Sequence, residues 1–295
     1  MNFKEELGRH TQEVQEIIEK YLPKEEGFQK TVLEAMNYSV RAGGKRLRPM
    51  LMLETYRMFG GGSDMIEPFM AAMEMIHTHS LVHDDLPAMD NDEYRRGQET
   101  TWMKYGEAMG VLAGDGLLNY AYETASRAFS IEPGNPAIGQ AFAVLTGKTG
   151  VYGMLGGQCR DVEMAGKSLS EEELDFIYRL KTGALIEASM MIGAILAGAD
   201  DTDVQAVEQI ASAVGMAFQI QDDILDVTST VEELGKPVRS DEKNEKTTYV
   251  TLMGLEQAGK DVERISKDAI AGLDRLKAEN EFLRELVLSL IDRRK

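Results

Sequence analysis

"HTHSLVHDDLPAMDNDEYRRG", residues 77–97, closes an apolar run with helix-like spacing that begins at residue 65. Asp84, Asp85 and Asp90 within it read D-D-x-x-x-x-D. On a straight helix Asp84 and Asp90 would lie roughly 120° apart and could not share a target. Pro87 supplies the break that lets them converge. The expectation is a helix ending near Leu86, followed by a turn that carries Asp90 back toward Asp84.

A second acidic set lies in "FQIQDDILD", where Asp222, Asp223 and Asp226 read D-D-x-x-D. Residues four apart share a helix face, so Asp222 and Asp226 aim together. Gln219 joins that stripe. One such set reads as a solvated helix end. Two sets, each after an apolar helix and each followed by basic residues, need a cation, because crowded carboxylates repel unless paired or protonated. Mg²⁺ held by one or two carboxylates, with phosphate oxygens completing its shell, fits the pattern. A calcium-binding loop does not, since the glycine and glutamate spacing fails. Zinc is weakly supported by His79 and His83, because H-E-x-x-H is absent.

The third element is "AGGKRLRP", residues 42–49. Gly43 and Gly44 let the backbone approach a ligand, and Lys45, Arg46 and Arg48 bring charge. It lacks P-loop spacing, and a basic surface helix start is its plain reading. Guanidinium groups nevertheless suit bidentate phosphate binding. His77 lies seven residues before Asp84, two turns away on the same face.

Composition narrows the alternatives. The 295 residues are 43% hydrophobic with only 7 prolines, and good helix formers dominate. Net charge −18 argues against a nucleic-acid binder, and an anionic ligand would need metal and local Lys and Arg. The lone Cys159 forms no internal disulfide, and the charged start lacks a signal peptide's apolar core, so a cytoplasmic protein is expected. The longest apolar stretch, residues 184–199, is too short for a membrane span and is interrupted by Glu187. Helix-like spacing covers 65–86, 112–130, 137–158, 171–198, 203–227 and 261–292. Ser170 and Glu173 in "SLSEEEL" form a capping-box pattern. Loops are expected at 59–64 and 132–136, and a long polar one at 230–249. No domain break appears, so residues 1–295 read as one domain.

Taken in order, "GGKRLRP", "HSLVHDDLPAMDND", "RRG", "LAGDGLL", "GGQCRD", "KTGALI", "FQIQDDILD" and "LGKP…KTTY" make the chain resemble an (E)-prenyl diphosphate synthase of the farnesyl or geranylgeranyl class. That resemblance implies an all-α bundle of about ten or more helices around a deep central cavity, usually a homodimer. It implies that Lys45, Arg48, His77 and Arg96 hold isopentenyl diphosphate. Asp84, Asp90 and Asp222 would ligate Mg²⁺, three ions shared with the allylic diphosphate, with Asp85, Asp223 and Asp226 supporting. Arg95, Lys181, Lys236 and Lys246 would bind diphosphate, and Thr182 and Gln219 would sit near the allylic carbon. His79, with Ser80, would floor the product cavity.

Two positions depart from the family. Arg239 stands where glycine is usual after "LGKP", and His79 stands where farnesyl-making relatives usually carry tyrosine. The expectation is a fifteen-carbon product, with twenty carbons as the alternative. A non-catalytic regulatory subunit of the same fold, or a terpene cyclase, are the other readings. Retention of both acidic sets argues against the first, and "GGKRLRP" with His77 against the second.

Overall fold

The computed structural model describes residues 2–228 and 247–291. Two kinds of helix build it, and their apolar patterns separate them. The first and second helices, α1 (Phe3–Tyr21) and α2 (Lys30–Arg41), are amphipathic and bury one face. By contrast α3 (Leu47–Met58) and α4 (Glu67–Asp84) are buried on nearly every side. On α4, Phe69, Met70, Met73, Met75 and Ile76 are fully buried. Each such side chain contributes about 1.5–3 kcal/mol through burial.

Two short helices, α5 (Thr101–Tyr105) and α7 (Ala128–Ile131), flank α6 (Glu107–Ser126), which packs along α4. Next come α8 (Pro136–Thr149) and α9 (Met154–Glu163). Then α10 (Glu171–Ile177) runs through a π-helical turn, Tyr178–Gly183, into α11 (Ala184–Leu196). That last helix is buried against α3, α8 and the long α12 (Asp201–Thr228). The chain closes with α13 (Tyr249–Met253), α14 (Leu255–Leu273) and α15 (Glu281–Ile291). Among the described residues the only sheet is an antiparallel ribbon, β1 (Tyr94–Arg95) with β2 (Gln98–Glu99). No helix among them is long and apolar enough to cross a membrane.

The all-α expectation therefore holds, with several boundaries moved. The run at 65–86 ends at Asp84, two residues early. The single helix expected over 137–158 is two, broken where Gly153 lies against the Lys148 carbonyl so closely that a Cβ would collide with it. The run at 261–292 also divides. Asn280 caps the second piece, its Oδ1 accepting from the Leu283 amide at 2.9 Å, while its Nδ2 donates to Glu54. The capping box is present: the Ser170 hydroxyl accepts the Glu173 amide and the Glu173 carboxylate accepts the Ser170 amide. Asn135 ends the 132–136 loop by capping α8. Most of the polar loop expected at 230–249 lies outside the described residues.

Candidate active site

The first acidic set sits where α4 stops. Beyond Asp84 the chain turns through Pro87, and the Asp90 amide donates to the Asp84 carbonyl at 2.8 Å. The two acids are thereby neighbours, as the proline break requires. Burial pushes the Asp84 carboxyl up to about 6; Lys181 opposes that shift and Asp90 adds to it. Gln158 on α9 donates to Asp84 Oδ1 at 2.6 Å. Asp85 points elsewhere: it is buried and paired with Arg95, whose Nε donates at 2.7 Å. Burial raises the Asp85 carboxyl, and the Arg95 bond works against it.

Across the cavity, the π-helical turn presents Lys181 and Thr182. Lys181 Nζ donates to Asp161 Oδ2 at 2.6 Å. Burial acts to lower its ammonium, but Asp84 and Asp161 outweigh burial and hold it above the usual lysine value. Gly157 lets α9 reach this turn, because a Cβ there would lie 2.3 Å from the Lys181 amide nitrogen. Thr182 Oγ1 donates to Gln219 Oε1 at 2.9 Å, so the two groups expected near a reacting carbon do touch. A cavity of about 650 Å³ lies between these elements, lined by Asp90, Gln158, Asp161, Lys181, Thr182 and Gln219, and also by Asp223 and Thr248.

Of the second acidic set, Asp222 is half-buried, and Asp223 and Asp226 are buried. Asp223 Oδ2 accepts from the Tyr178 hydroxyl at 2.5 Å and from the Tyr249 amide at 2.8 Å. Among the described residues no three carboxylate, thiol or imidazole groups gather into a ready-made metal cage. Hard carboxylates from two helix ends beside one cavity fit Mg²⁺, which takes few protein ligands and completes its shell with phosphate oxygens and water.

Arg48, His77 and Arg96 form a second, basic cluster. Arg48 on α3 is half-buried, and its Nε is enclosed without a hydrogen-bond partner. Burial lowers its guanidinium to about 10; Glu74 acts against this and Arg96 with it. The half-buried His77 ring is held well below the ordinary histidine range, first by burial and then by Arg48 and Arg96. It is therefore neutral, and Glu74 is the carboxylate that acts on both Arg48 and Arg96. Arg96 occupies a left-handed position (φ 53°) in the β1–β2 turn beside Gly97, and its guanidinium donates to the Gly43 carbonyl. That turn sends Arg95 toward Asp85 and Arg96 toward the "GGKR" loop. Lys45 is exposed on that loop. Arg46 does something different: it is buried and ion-paired to Glu74 at 2.5 Å, and also donates to Gln15 and the Val40 carbonyl.

The half-buried His79 ring turns toward α6, its Nδ1 2.9 Å from the Gly114 carbonyl, and burial lowers it to about 4. The Ser80 hydroxyl donates to the His77 carbonyl at 2.9 Å. Neither residue lines the 650 Å³ cavity. Lys236, Arg239 and Lys246 lie outside the described residues. Sequence reading assigned no role to Gln158 and Asp161, although they lie in the quoted "GGQCRD". Their three-residue spacing on a helix was the available signal.

The sequence model of the polyprenyl synthetase family matches residues 29–286. A farnesyl diphosphate synthase from Geobacillus stearothermophilus is 43% identical over 84% of this chain and 84% of its own length. A geranylgeranyl diphosphate synthase from Cyanophora paradoxa is 43% identical over 87% of this chain and 85% of its own. The solved structure of a geranyltransferase from Helicobacter pylori, in complex with magnesium and isoprenyl diphosphate, superposes with TM-score 0.84 at 30% identity, covering 99% of this chain and 97% of its own. The chain belongs to the polyprenyl synthetase family.

Proposed function

We propose that this member of the polyprenyl synthetase family is a short-chain trans-prenyl diphosphate synthase. It joins isopentenyl diphosphate to dimethylallyl and then geranyl diphosphate, giving the fifteen-carbon farnesyl diphosphate. One observation carries the reading: an acid-walled cavity holds Lys181, while a separate basic cluster keeps Arg48 Nε buried without a hydrogen-bond partner. Two anionic groups of unequal metal demand are what such a pair would accept. The relatives' names support the same chemistry, farnesyl and geranylgeranyl alike.

In this reading Asp84, Asp90 and Asp222 hold Mg²⁺, with Asp85, Asp223 and Asp226 supporting. Bound there, three Mg²⁺ ions would neutralise the leaving diphosphate. Lys181 and Arg95 add fixed positive charge where the allylic carbon–oxygen bond breaks. Lys236 and Lys246 are assigned to the same diphosphate. Thr182 and Gln219 present oxygen dipoles toward the allylic carbon, and the enclosed cavity keeps water from the cation. Lys45, Arg48, His77 and Arg96 bind the diphosphate of isopentenyl diphosphate and aim its double bond. Among the described residues no side chain of the site is placed as a base, so the departed diphosphate takes the proton.

His79 and Ser80, which lie outside the lining of the 650 Å³ cavity, are assigned to the wall that a lengthening chain would meet beyond it, stopping growth at fifteen carbons. Exposed Val111 and Leu112 on α6, with Val151, Tyr152 and Leu155 at the α8–α9 break, support assembly as a homodimer. The lone Cys159 supports a reducing compartment, the cytoplasm. The test is incubation with both five-carbon diphosphates and Mg²⁺, read by product chromatography. Farnesyl diphosphate as the main product supports the proposal. A twenty-carbon main product overturns the chain length, cyclised hydrocarbon overturns the reaction class, and no product overturns the enzyme reading.

A further inference from the structure

Four residues of the π-helical turn and α12 meet as parallel rungs. Tyr178 donates to Asp223 at 2.5 Å, and Thr182 donates to Gln219 at 2.9 Å. The spacing is four residues on each side, and the pairs run in opposite directions along the chain. One turn further on, Gly215 of α12 meets Gly183: a Cβ on Gly215 would lie 3.0 Å from the Gly183 Cα. The helices therefore touch backbone to backbone at one end and are tied by side chains over the next two turns. Lys181 lies between the two rungs in sequence but leaves on another side, toward Asp161.

A π turn is rare, and needs something outside the helix to hold it. Were residues 178–183 to relax to α-helical form, everything on one side of the turn would rotate by about one residue, roughly 100°. Lys181 would then leave the cavity wall. The upper rung belongs to the site already described. The lower rung is buried: Asp223 is 5% exposed and Tyr178 8%. The same Asp223 oxygen also takes the Tyr249 amide, fixing the start of α13 to the same point.

We propose that Tyr178 and Asp223 are positioning residues, and that their bond sets the rotation of the π turn and so the aim of Lys181 and Thr182. The support that Asp223 gives the site then runs through Tyr178, while Asp222 is the acid that holds metal. The role of Lys181 in turnover rests on the prenyltransferase reading above; the geometric part does not.

The test uses Tyr178→Phe, Asp223→Asn and the double variant of the full chain, with Asp222→Asn as the metal-site comparator. Hydrogen exchange of the amides at 178–183, without substrate or metal, should quicken on the order of tenfold in Tyr178→Phe and in Asp223→Asn. Exchange in the double variant should be no faster than in the more affected single variant. With substrates, kcat should fall on the order of tenfold in both single variants. The KM for isopentenyl diphosphate and the Mg²⁺ half-saturation should stay put, whereas Asp222→Asn should raise the latter. Unchanged exchange at 178–183 in Tyr178→Phe overturns the proposal. So does a Mg²⁺ half-saturation that rises in Asp223→Asn as it does in Asp222→Asn while Tyr178→Phe behaves as wild type. A wild type inert with both diphosphates would overturn the prenyltransferase reading, and the exchange measurement would still decide the ladder.

Discussion

The Asp90 amide donates to the Asp84 carbonyl at 2.8 Å, across a turn that contains Pro87. This bond brings together two carboxylates that a straight helix would hold far apart. It also explains why burial and Asp90 act in the same direction on the Asp84 carboxyl, which stands at about 6. Two acids so placed are costly alone and favourable around a divalent cation. Asp84→Ala and Asp222→Ala should each lower turnover by roughly 10²–10³-fold or more, the scale of losing a principal electrostatic contact. Steady-state rates check this; near-normal turnover in either variant would remove that acid from the metal site.

The cavity and the basic cluster should separate kinetically. Arg48→Ala should raise the KM for isopentenyl diphosphate by roughly ten- to a hundredfold, the scale of a lost charge-assisted hydrogen bond. Lys181→Ala should chiefly lower the rate of allylic ionisation, read in single-turnover experiments. An Arg48→Ala enzyme weakened only toward the allylic substrate would mean that the two sites are assigned the wrong way round.

Arg46 is adjacent to both Lys45 and the basic cluster, yet it is buried against Glu74. Arg46→Ala would strand a buried carboxylate, which costs about 3–5 kcal/mol. Denaturant unfolding should show that loss. Lys45→Ala, at an exposed position, should change stability by less than about 0.5 kcal/mol and act on isopentenyl diphosphate binding instead.

His79 gives a pH signature. Its folded value of about 4 lies below the model-peptide value near 6.5. As pH falls below 6.5 the unfolded chain takes up a proton that the folded ring refuses. The native state therefore loses stability between pH 6.5 and 4, by at most about 3 kcal/mol, and gains none of it back below. Above pH 6.5 the effect is absent. His79→Tyr should flatten this part of the stability profile while keeping a fifteen-carbon product. His79→Ala should lengthen the product; an unchanged length would move the floor to another residue.

Much of this was legible in the sequence because it is local. Apolar spacing marks α4 and α12, Ser170 and Glu173 announce their capping box, and Pro87 forces the turn after Asp84. The sequence reading placed no helix range over the first three helices, although α1 and α2 are amphipathic, and periodicity did not mark the breaks at Gly153 and Asn280. A helix buried all round, such as α3 with its buried Glu54 and Thr55, has no separate polar face to give it a period, and a cap reads as a polar residue until the helix beyond it is placed. The same logic holds in the site. Residue types fixed the chemistry: carboxylates for a metal, guanidinium groups for phosphate. Only packing decided which side chain does which task. Arg46 and Arg48 are two residues apart, yet one is neutralised by Glu74 and the other keeps an unpartnered Nε. Asp222 and Asp223 are adjacent, yet the second is turned by about 100° into Tyr178. A sequence states what charges are available; which of them remain unspent depends on partners tens to hundreds of residues away, and only the tertiary structure brings those partners within bonding distance.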